Sequence, residues 1–305
     1  MISIVIPLYN KEDYIAETLR SVLAQTFTNF EVLVINDGSS DHSVDKVAAF
    51  NDERIQLHSI PNSGVSVARN TGIGLAKYEW IAFLDADDWW GPNFLSALVK
   101  EIETYPKALI LASGRSRVFK EETERYSNEF LPSEGETGTV NYFQIISKYL
   151  PPINSSNVLL HTSLLKKDKF REGMRKHEDH DLWIRVTANN DIVFVNKPLS
   201  FYRKTQSNTA SQHNFSAKDF ERYLLDIKEV FQQLNETDKL FLQQYANAFI
   251  PISFFQNYGR YQKKERAQIL HLSKSLVDTK RVWIMRMAHR FPWINLYKWY
   301  QFFKR

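Results

Sequence analysis

Asp85, Asp87 and Asp88 place three carboxylates close together in the chain. They follow the apolar run WIAFL, which has the β-branched and aromatic character of a buried strand. Ligands of open α/β sheets bind at the carboxyl ends of strands, where these carboxylates would lie. Because neighbouring carboxylates repel one another, we expect a cation here, and oxygen ligands suit Mn²⁺ or Mg²⁺. A solvated acidic turn is the alternative interpretation.

A second acidic group lies in the middle of the chain, where Glu178, Asp179 and Asp181 precede a helix that the apolar spacing of residues 182–186 predicts. The helix dipole stabilises acidic side chains in the first turn of a helix. This effect alone would account for one of the three carboxylates, so a chemical role for the others is the competing interpretation.

The elements that position the first acidic group are predicted to alternate between strand and helix. The segments with the pattern of buried strands are ISIVIPLYN, FEVLVIND, RIQLHSI and WIAFLDADDWW. Pro7 is expected to end the first strand, because proline has no N–H to donate to a ladder. Asn10 is predicted to be a helix N-cap, with Asp13 at the capping-box position. Gly64 is predicted to open a later helix that carries Arg69.

This alternation predicts an α/β fold with a doubly wound, mostly parallel sheet and one ligand crevice. If the first two strands are parallel neighbours, Asp37 lies beside Tyr9 in that crevice. The sequence has no G-x-G-x-x-G after its first strand and no G-x-x-x-x-G-K-[ST] motif, so it supports neither a dinucleotide-binding site nor a P-loop. Phosphates bound here would have to be neutralised by a metal on the aspartates.

Four motifs in the order IPLYN, VLVINDGSSD, PNSGVSVARNTGI and FLDADDWW resemble the nucleotide-binding half of family 2 glycosyltransferases, which have the GT-A fold. The resemblance covers roughly residues 1 to 205. It implies an inverting, metal-dependent transfer of a sugar from a nucleotide donor, usually a UDP-sugar.

The same resemblance implies roles for individual residues. Tyr9 would stack on the base, Asp37 would accept a hydrogen bond from a base N–H, and Arg69 would lie near the base or the diphosphate. Asp85 would lie near the ribose and the metal, and Asp87 would bind the metal. The residues expected to contact the donor are Pro7, Tyr9, Asn10, Asp37, Arg69, Asp85 and Ala86. The alternatives are that Arg69 is a surface helix residue and Tyr9 a core aromatic.

On the acceptor side, the Glu178–Asp179 pair resembles the catalytic-base motif of the family. The second member, Asp179, would take the proton of the acceptor hydroxyl, and Glu178 would orient this base or bind the acceptor. Asp88, Trp89 and Asp181 are further candidates on the acceptor side.

One position departs from the family pattern. Many relatives carry a histidine two residues after a Tyr-Arg pair, which is thought to complete the metal site, whereas Tyr202 and Arg203 are followed here by Lys204 and Thr205. His213 lies further on, in a polar loop. The third metal ligand is therefore open, and we expect water or diphosphate oxygens in its place.

The length of 305 residues fits a catalytic domain over 1–215, with a donor half to about residue 115, and a helical region over 216–305. The absence of cysteine fits a reducing compartment. There is no signal peptide and no apolar run of the roughly 18 residues that span a bilayer, so we expect a cytoplasmic protein. The segment from 120 to 140 is predicted to be a polar loop.

Charge is distributed unevenly along the chain. Residues 216–305 have 16 Lys and Arg against 8 Asp and Glu, a net charge of +8, whereas the whole chain carries +4. Residues 280–305 have no acid, three tryptophans and seven Lys or Arg. Such aromatic and basic side chains suit anionic lipid, so we expect this tail to hold the protein on the inner face of a membrane. A packed helix pair with a basic face is the alternative, and nucleic-acid binding is not expected because no recognition motif is present.

These observations favour a bacterial enzyme that transfers a hexosyl or N-acetylhexosaminyl group to a glycan or lipid-linked glycan in surface polysaccharide biosynthesis. A sugar-phosphate nucleotidyltransferase is the first alternative, but PLYNKEDYI lacks the glycine-rich loop expected after its first strand. A non-catalytic nucleotide-sugar-binding protein is disfavoured because both metal and base carboxylates are present. A homodimer is left open.

Overall fold

The computed structural model describes residues 1–204 and 215–290. The chain divides into two compact units. The first comprises Met1–Tyr142, Pro151–Met174 and residues 178–204; the second comprises Phe143–Leu150, Arg175–His177 and residues 215–290. The domain boundary predicted at residue 215 stays a prediction.

The first unit contains a sheet that has ten strands among the described residues. The strands are β1 (Ile2–Leu8), β2 (Phe30–Asp37), β3 (Ile55–Ile60), β4 (Trp80–Phe83), β5 (Trp89–Trp90), β6 (Ile110–Phe119), β7 (Glu122–Arg125), β8 (Thr137–Val140), β9 (Val158–His161) and β10 (Ile192–Arg203). Their order in space is β3-β2-β1-β4-β9-β6-β10-β5, and β7 pairs with β6 and β8 with β10.

Helices lie between and after these strands. In the described chain they are α1 (Ile15–Leu23), α2 (Ser43–Ala48), α3 (Val65–Leu75), α4 (Phe94–Thr104), α5 (Tyr142–Ile146), α6 (Thr162–Lys167), α7 (Glu178–Val186), α8 (Ala217–Gln233), α9 (Glu236–Asn257), α10 (Lys263–Ser273) and α11 (Thr279–Arg290).

The predicted parallel strands form one half of the sheet. β3, β2, β1 and β4 are parallel neighbours, and every residue of β2 is buried. The carboxyl ends of β1, β2 and β4 therefore lie along one edge, as expected for a ligand crevice. Beyond β4 the sheet is mixed, because β9 lies antiparallel between β4 and β6.

Pro7 does not end β1, contrary to the prediction. It lies within the strand and pairs with Ile35 of β2. On the other side of β1, the N–H of Leu84 donates to the carbonyl of Val5 at 3.1 Å. Pro7 faces the same side as Val5, because alternate residues of a strand point their backbone groups the same way. The β4 ladder has already ended there at Phe83, so the missing N–H of Pro7 removes no ladder bond.

Asn10 is not a helix N-cap, and the capping box predicted with Asp13 does not form. α1 begins at Ile15, and its N-cap position is Tyr14. Asn10 instead has a φ of 50°, a left-handed conformation that asparagine tolerates better than most residues. Its Oδ1 accepts a hydrogen bond from the Ser40 N–H at 2.8 Å. The side chain therefore holds the loop after β2 and not the start of α1.

The segment from 120 to 140 is not the continuous loop that we predicted. It contains β7, which forms a hairpin with β6, and β8, which pairs with β10. β7 has three exposed residues out of four, so it shows no alternation of apolar and polar residues. The turn between β6 and β7 contains Lys120 at a φ of 54°.

The C-terminal helices are confirmed in the described part of the second unit. In α8, Phe220, Leu224 and Ile227 are buried, and their spacing of three and four positions places them on one face of the helix. No helix of the described residues is both long and apolar enough to cross a bilayer. Residues 291–305, which hold two of the three tail tryptophans, lie outside the described residues.

Candidate active site

The three aspartates lie in a turn after β4, residues 85–88, which we call the DADD turn. Arg69 Nη2 lies 2.7 Å from Asp85 Oδ1, and Lys11 Nζ lies 2.5 Å from Asp87 Oδ2. The side chains of Lys11 and Asp87 are 28% and 18% exposed, so this ion pair is partly accessible. The repulsion that the sequence predicted is thus reduced by two cations of the protein itself, Arg69 at Asp85 and Lys11 at Asp87.

Arg69 joins the DADD turn to the second acidic group. Its Nη1 lies 3.2 Å from Glu178 Oε1, while its Nη2 binds Asp85. Arg69 is 3% exposed, so the alternative of a surface helix residue is wrong. Burial opposes its charge, but Asp85 and Glu178 keep the pKa of the guanidinium above its ordinary value. One buried cation therefore binds the predicted metal carboxylate and the predicted base motif together.

Asp37, at the end of β2, binds the backbone at the start of α3, the helix that carries Arg69. The two carboxylate oxygens of Asp37 accept hydrogen bonds from the N–H groups of Ser63 (2.7 Å) and Gly64 (2.9 Å). Gly64, the N-cap residue of α3, has a φ of 95°, which glycine adopts without strain. Further along, Gly72 lets α3 approach β1, because a Cβ there would lie 2.3 Å from Val5 Cγ1.

Tyr9 follows β1 directly and is 48% exposed, so the alternative of a core aromatic is wrong. β1 and β2 are parallel neighbours with Leu8 opposite Asn36, which places Tyr9 next to Asp37 in the continued register. A half-exposed ring beside a carboxylate at the edge of the sheet suits base stacking, although the donor contacts of Pro7, Tyr9 and Asp37 stay predictions.

Asp88 is buried at 1% exposure, and its predicted place on the acceptor side stays a prediction. Its Oδ2 accepts from Ser156 Oγ at 2.6 Å, and its Oδ1 accepts from the backbone N–H of Arg203 at 3.0 Å. Burial, reinforced by the charges of Asp87 and Asp85, raises the pKa of Asp88 well above its ordinary value. Asp88 connects the DADD turn to the end of β10.

Ser156 forms hydrogen bonds with two residues of the DADD turn. Its Oγ donates to Asp88 and accepts from the Asp85 N–H at 3.2 Å. Its carbonyl accepts from Trp90 Nε1 at 2.6 Å and from Ser200 Oγ at 2.7 Å. One residue thus connects the turn, β5 and β10, and nothing in the run PPINSSN marks this serine in the sequence.

Replacement of Ser156 by alanine is expected to lower the free energy of unfolding by about 1–3 kcal/mol, because buried Asp88 loses a hydrogen-bond donor. Ser155→Ala is the matched control: the neighbouring Ser155 hydroxyl is buried without a hydrogen-bond partner among the described residues. Denaturant unfolding of both variants measures the difference. Equal losses would show that the hydrogen bonds of Ser156 contribute nothing of their own.

Arg203 covers the turn from the opposite side. Its Nε donates to the Asp87 carbonyl at 3.1 Å and its Nη2 to Glu17 at 2.7 Å, and its guanidinium lies 4.5 Å from the ring centroid of Trp89. The acceptor role of Trp89 stays a prediction. Ala86 is 3% exposed, and its donor contact stays a prediction.

The second acidic group forms the first turn of α7. We had predicted that it lies just before the helix. Glu178 is buried, whereas Asp179 is half-buried and its Oδ1 accepts from the His180 N–H at 2.7 Å. Asp181 has no exposed side-chain surface and binds Arg185 Nη2 at 2.6 Å. Its i,i+4 position brings Asp181 onto Arg185 inside the unit, and its acceptor role stays a prediction.

Burial and the neighbouring charge of Asp179 raise the pKa of Glu178 to about 7, and Arg69 only partly offsets them. Arg69 binds Asp85 and Glu178, and the charge of Asp179 also helps to raise its pKa. Glu178 is therefore partly protonated near neutral pH.

Glu178→Gln is expected to change how stability depends on pH. Because the pKa of Glu178 rises from 4.5 to about 7 on folding, its contribution to stability is complete below pH 4.5 and is lost as the pH rises through 7. Glutamine does not titrate, so the variant should lose less stability than the wild type between about pH 5 and 8. Melting temperatures across this range measure it, and parallel curves for the two proteins would contradict it.

The charge of Asp179 also affects the pKa values of Arg115 and Tyr202. Burial lowers the pKa of Arg115, and Asp179 is among the groups that oppose this shift. Burial raises the pKa of Tyr202 to about 12, with added contributions from the DADD turn and Asp179. The end of β10, at Tyr202, therefore lies within electrostatic range of both acidic groups.

The residues fit a divalent cation held by two carboxylates. Asp85 and Asp87 lie in the DADD turn, and each uses one oxygen in its ion pair with Arg69 or Lys11. Within 1–204 and 215–290, no three His, Asp or Glu side chains are grouped closely enough to hold a metal by themselves. Mg²⁺ sites commonly use one or two carboxylates, with water and phosphate oxygens as the other ligands. Thr205 and His213, at the open third position, lie outside the described residues.

Comparison with known proteins assigns the chain to a family. The model of "Glycosyl transferase family 2" matches residues 3–173. An uncharacterized glycosyltransferase of Rickettsia bellii is 34% identical over 68% of this chain, and the chain spans 29% of the length of that relative. The Escherichia coli protein WfgD, a UDP-Glc:alpha-D-GlcNAc-diphosphoundecaprenol beta-1,3-glucosyltransferase, is 30% identical over 69% of this chain and 80% of its own length.

The fold is also that of a solved structure. S. aureus TarS 1-349, crystallised in complex with UDP-GlcNAc, superposes with a TM-score of 0.74 over 97% of this chain and 89% of its own, at 22% identity. The GT-A prediction, with helices after the catalytic fold, is thereby confirmed. The motifs, the fold and the family match agree, and the chain belongs to glycosyltransferase family 2.

Proposed function

We propose that this protein transfers a hexosyl or N-acetylhexosaminyl group from a UDP-sugar to a saccharide acceptor, with inversion at the anomeric carbon. The observation that carries the proposal is the bridge of Arg69 between Asp85 and Glu178. It unites a donor-side carboxylate and the predicted base motif in one buried cluster. An inverting transfer requires both, because the leaving diphosphate and the attacking hydroxyl react at one carbon.

In this proposal Asp179 is the general base. It is the more exposed member of its pair, so an acceptor hydroxyl can approach it, and a carboxylate in hydrogen-bond reach takes the proton as the new bond forms. Buried Glu178 is a positioning residue, since its contact with Arg69 holds the start of α7 against the DADD turn. Tyr9 stacks on the uracil, and Asp37 accepts from its N–H.

Asp85 and Asp87 would hold Mn²⁺ or Mg²⁺, which when bound supplies charge stabilisation for the diphosphate leaving group. Lys11 shares Asp87 with that cation, so the ammonium group must yield part of its contact or turn toward the phosphates. This residue was not among those predicted from the sequence.

Two relatives support the choice of donor and acceptor. TarS is bound to UDP-GlcNAc in its crystal structure, and the name of WfgD gives UDP-glucose as donor and a diphosphoundecaprenol-linked GlcNAc as acceptor. We infer that this chain also uses a UDP-sugar, acts on a glycan or lipid-linked glycan, and works in the assembly of a bacterial surface polysaccharide at the inner face of the membrane.

A panel of nucleotide sugars tests the proposal. The purified protein, with Mn²⁺ or with EDTA, is incubated with UDP-, GDP- and dTDP-sugars, and release of the nucleoside diphosphate is measured. The expected result is slow, Mn²⁺-dependent release of UDP from one or two UDP-sugars. Pyrophosphate release from UTP and a sugar 1-phosphate would instead identify a nucleotidyltransferase, and UDP-sugar binding without UDP release would identify a binding protein.

A further inference from the structure

Helix α11 is amphipathic, and its apolar face is already used. Val282, Ile284, Met285 and Ala288 are buried, and α11 packs against α9 and α10 of the same unit. The opposite face has a different character, because Trp283 is 54% exposed at its centre. Tryptophan is highly buried on average in folded proteins, and what matters here is the character of the side chains around this exposed one.

Basic side chains surround this tryptophan on the exposed face. Lys280, Arg286 and Arg290 are exposed and lie three positions before, three after and seven after Trp283, which places all of them on one side of a helix. Met287, four positions after, is half-buried on the same side. α11 has no acidic residue to neutralise this face.

Hydrogen bonds determine which face of α11 points outward. Before the helix, the Asp278 N–H donates to Asn247 Oδ1 of α9 at 2.8 Å. Near its other end, the Tyr258 hydroxyl donates to the Ala288 carbonyl at 3.1 Å. Rotation of α11 to bury Trp283 would break the bond to the Ala288 carbonyl and expose the apolar face.

We propose that this exposed face of α11, which we call the Trp283 face, binds an anionic lipid surface. Tryptophan suits the headgroup layer, and basic side chains of one sign around it suit anionic headgroups. A protein partner would have to supply an acidic surface with a slot for one indole, whereas a lipid surface offers both features without specific shape. The inference adds a membrane contact to the proposed transfer to lipid-linked acceptors, and donor chemistry does not depend on it.

The test uses the full-length protein and sedimentation with vesicles of phosphatidylglycerol and phosphatidylcholine, or of phosphatidylcholine alone. Neutralising two basic residues, Arg286→Gln with Arg290→Gln, should weaken binding to the anionic vesicles by about 30-fold. Lys100→Gln with Lys166→Gln, which removes the same charge from exposed sites of the first unit, should leave it nearly unchanged. Trp283→Ala should abolish the fraction of binding that survives high salt, because salt screens only the charges.

Equal vesicle binding by the wild type and all variants would overturn the proposal. A second result would also overturn it: the wild-type protein is a dimer without lipid, and the Trp283→Ala variant is a monomer. The Trp283 face would then bind a second copy of the chain. UDP release in the donor panel is measured on the same samples. It should be unchanged in every variant, so loss of vesicle binding and failure of the proposed transferase activity can be distinguished.

Discussion

Replacement of Asp179 by asparagine is expected to lower the rate of sugar transfer by roughly 10²-fold or more, the usual effect of removing a general base. The amide has the same shape as the carboxylate but cannot take the acceptor proton. UDP affinity should stay close to that of the wild type, because the predicted donor contacts lie on β1, β2, α3 and the DADD turn. Transfer assays and calorimetry with UDP, on the same preparations, measure both quantities.

Asp181→Asn is the control variant that distinguishes the two neighbouring carboxylates. Asp181 is buried against Arg185, so this change should lower the melting temperature while transfer well below that temperature persists. If Asp181→Asn is inactive and Asp179→Asn active, α7 is the correct helix and Asp179 the wrong carboxylate.

Replacement of Asp87 by alanine is expected to weaken Mn²⁺-dependent UDP binding by roughly 10²- to 10³-fold, because charge stabilisation by a bound cation is worth several kcal/mol. The fold should remain, since the Asp87 carboxylate is partly exposed and pairs with a partly exposed lysine, and the Asp87 carbonyl that accepts from Arg203 is kept in alanine. Calorimetry of UDP with and without Mn²⁺ measures the change.

Two variants sharpen this test. Asp45→Ala removes an exposed aspartate whose ion-pair partner is His42, and it should bind UDP as the wild type does. Lys11→Ala removes the ammonium that occupies Asp87 and should keep metal-dependent binding. Unchanged UDP affinity in Asp87→Ala would rule out the metal role of this carboxylate.

The sheet could be predicted from the sequence where strands are buried on both sides. β1, β2 and β4 are nearly continuous apolar runs, and their parallel pairing follows from the helices between them. β7 could not be predicted in this way, because its exposed residues carry no apolar period. β1 accommodates Pro7 because β4 ends before it reaches this position. The end of β4 depends on tertiary structure, so the sequence of β1 alone could not show it.

Some features of the site could be predicted from local motifs, whereas others depend on contacts between residues far apart in the sequence. Asp37 and Arg69 hold positions that local motifs indicate. By contrast, the pairing of Lys11 with Asp87 and of Ser156 with Asp88 joins residues about 70 positions apart. Such contacts depend on packing, so a short motif cannot reveal them. For the same reason, the burial of Asp88 and Asp181 could not be predicted from the acidic motifs in which they lie.

The stereochemistry of the product tests the central claim most directly, namely that Asp179 and the DADD turn act on opposite sides of one anomeric carbon. With a donor whose sugar is α-linked to UDP, the anomeric proton of the freshly transferred or hydrolysed sugar can be followed by NMR as UDP appears. Direct attack assisted by Asp179 predicts the β anomer as the first product. An α product formed at the same rate as UDP would contradict the account.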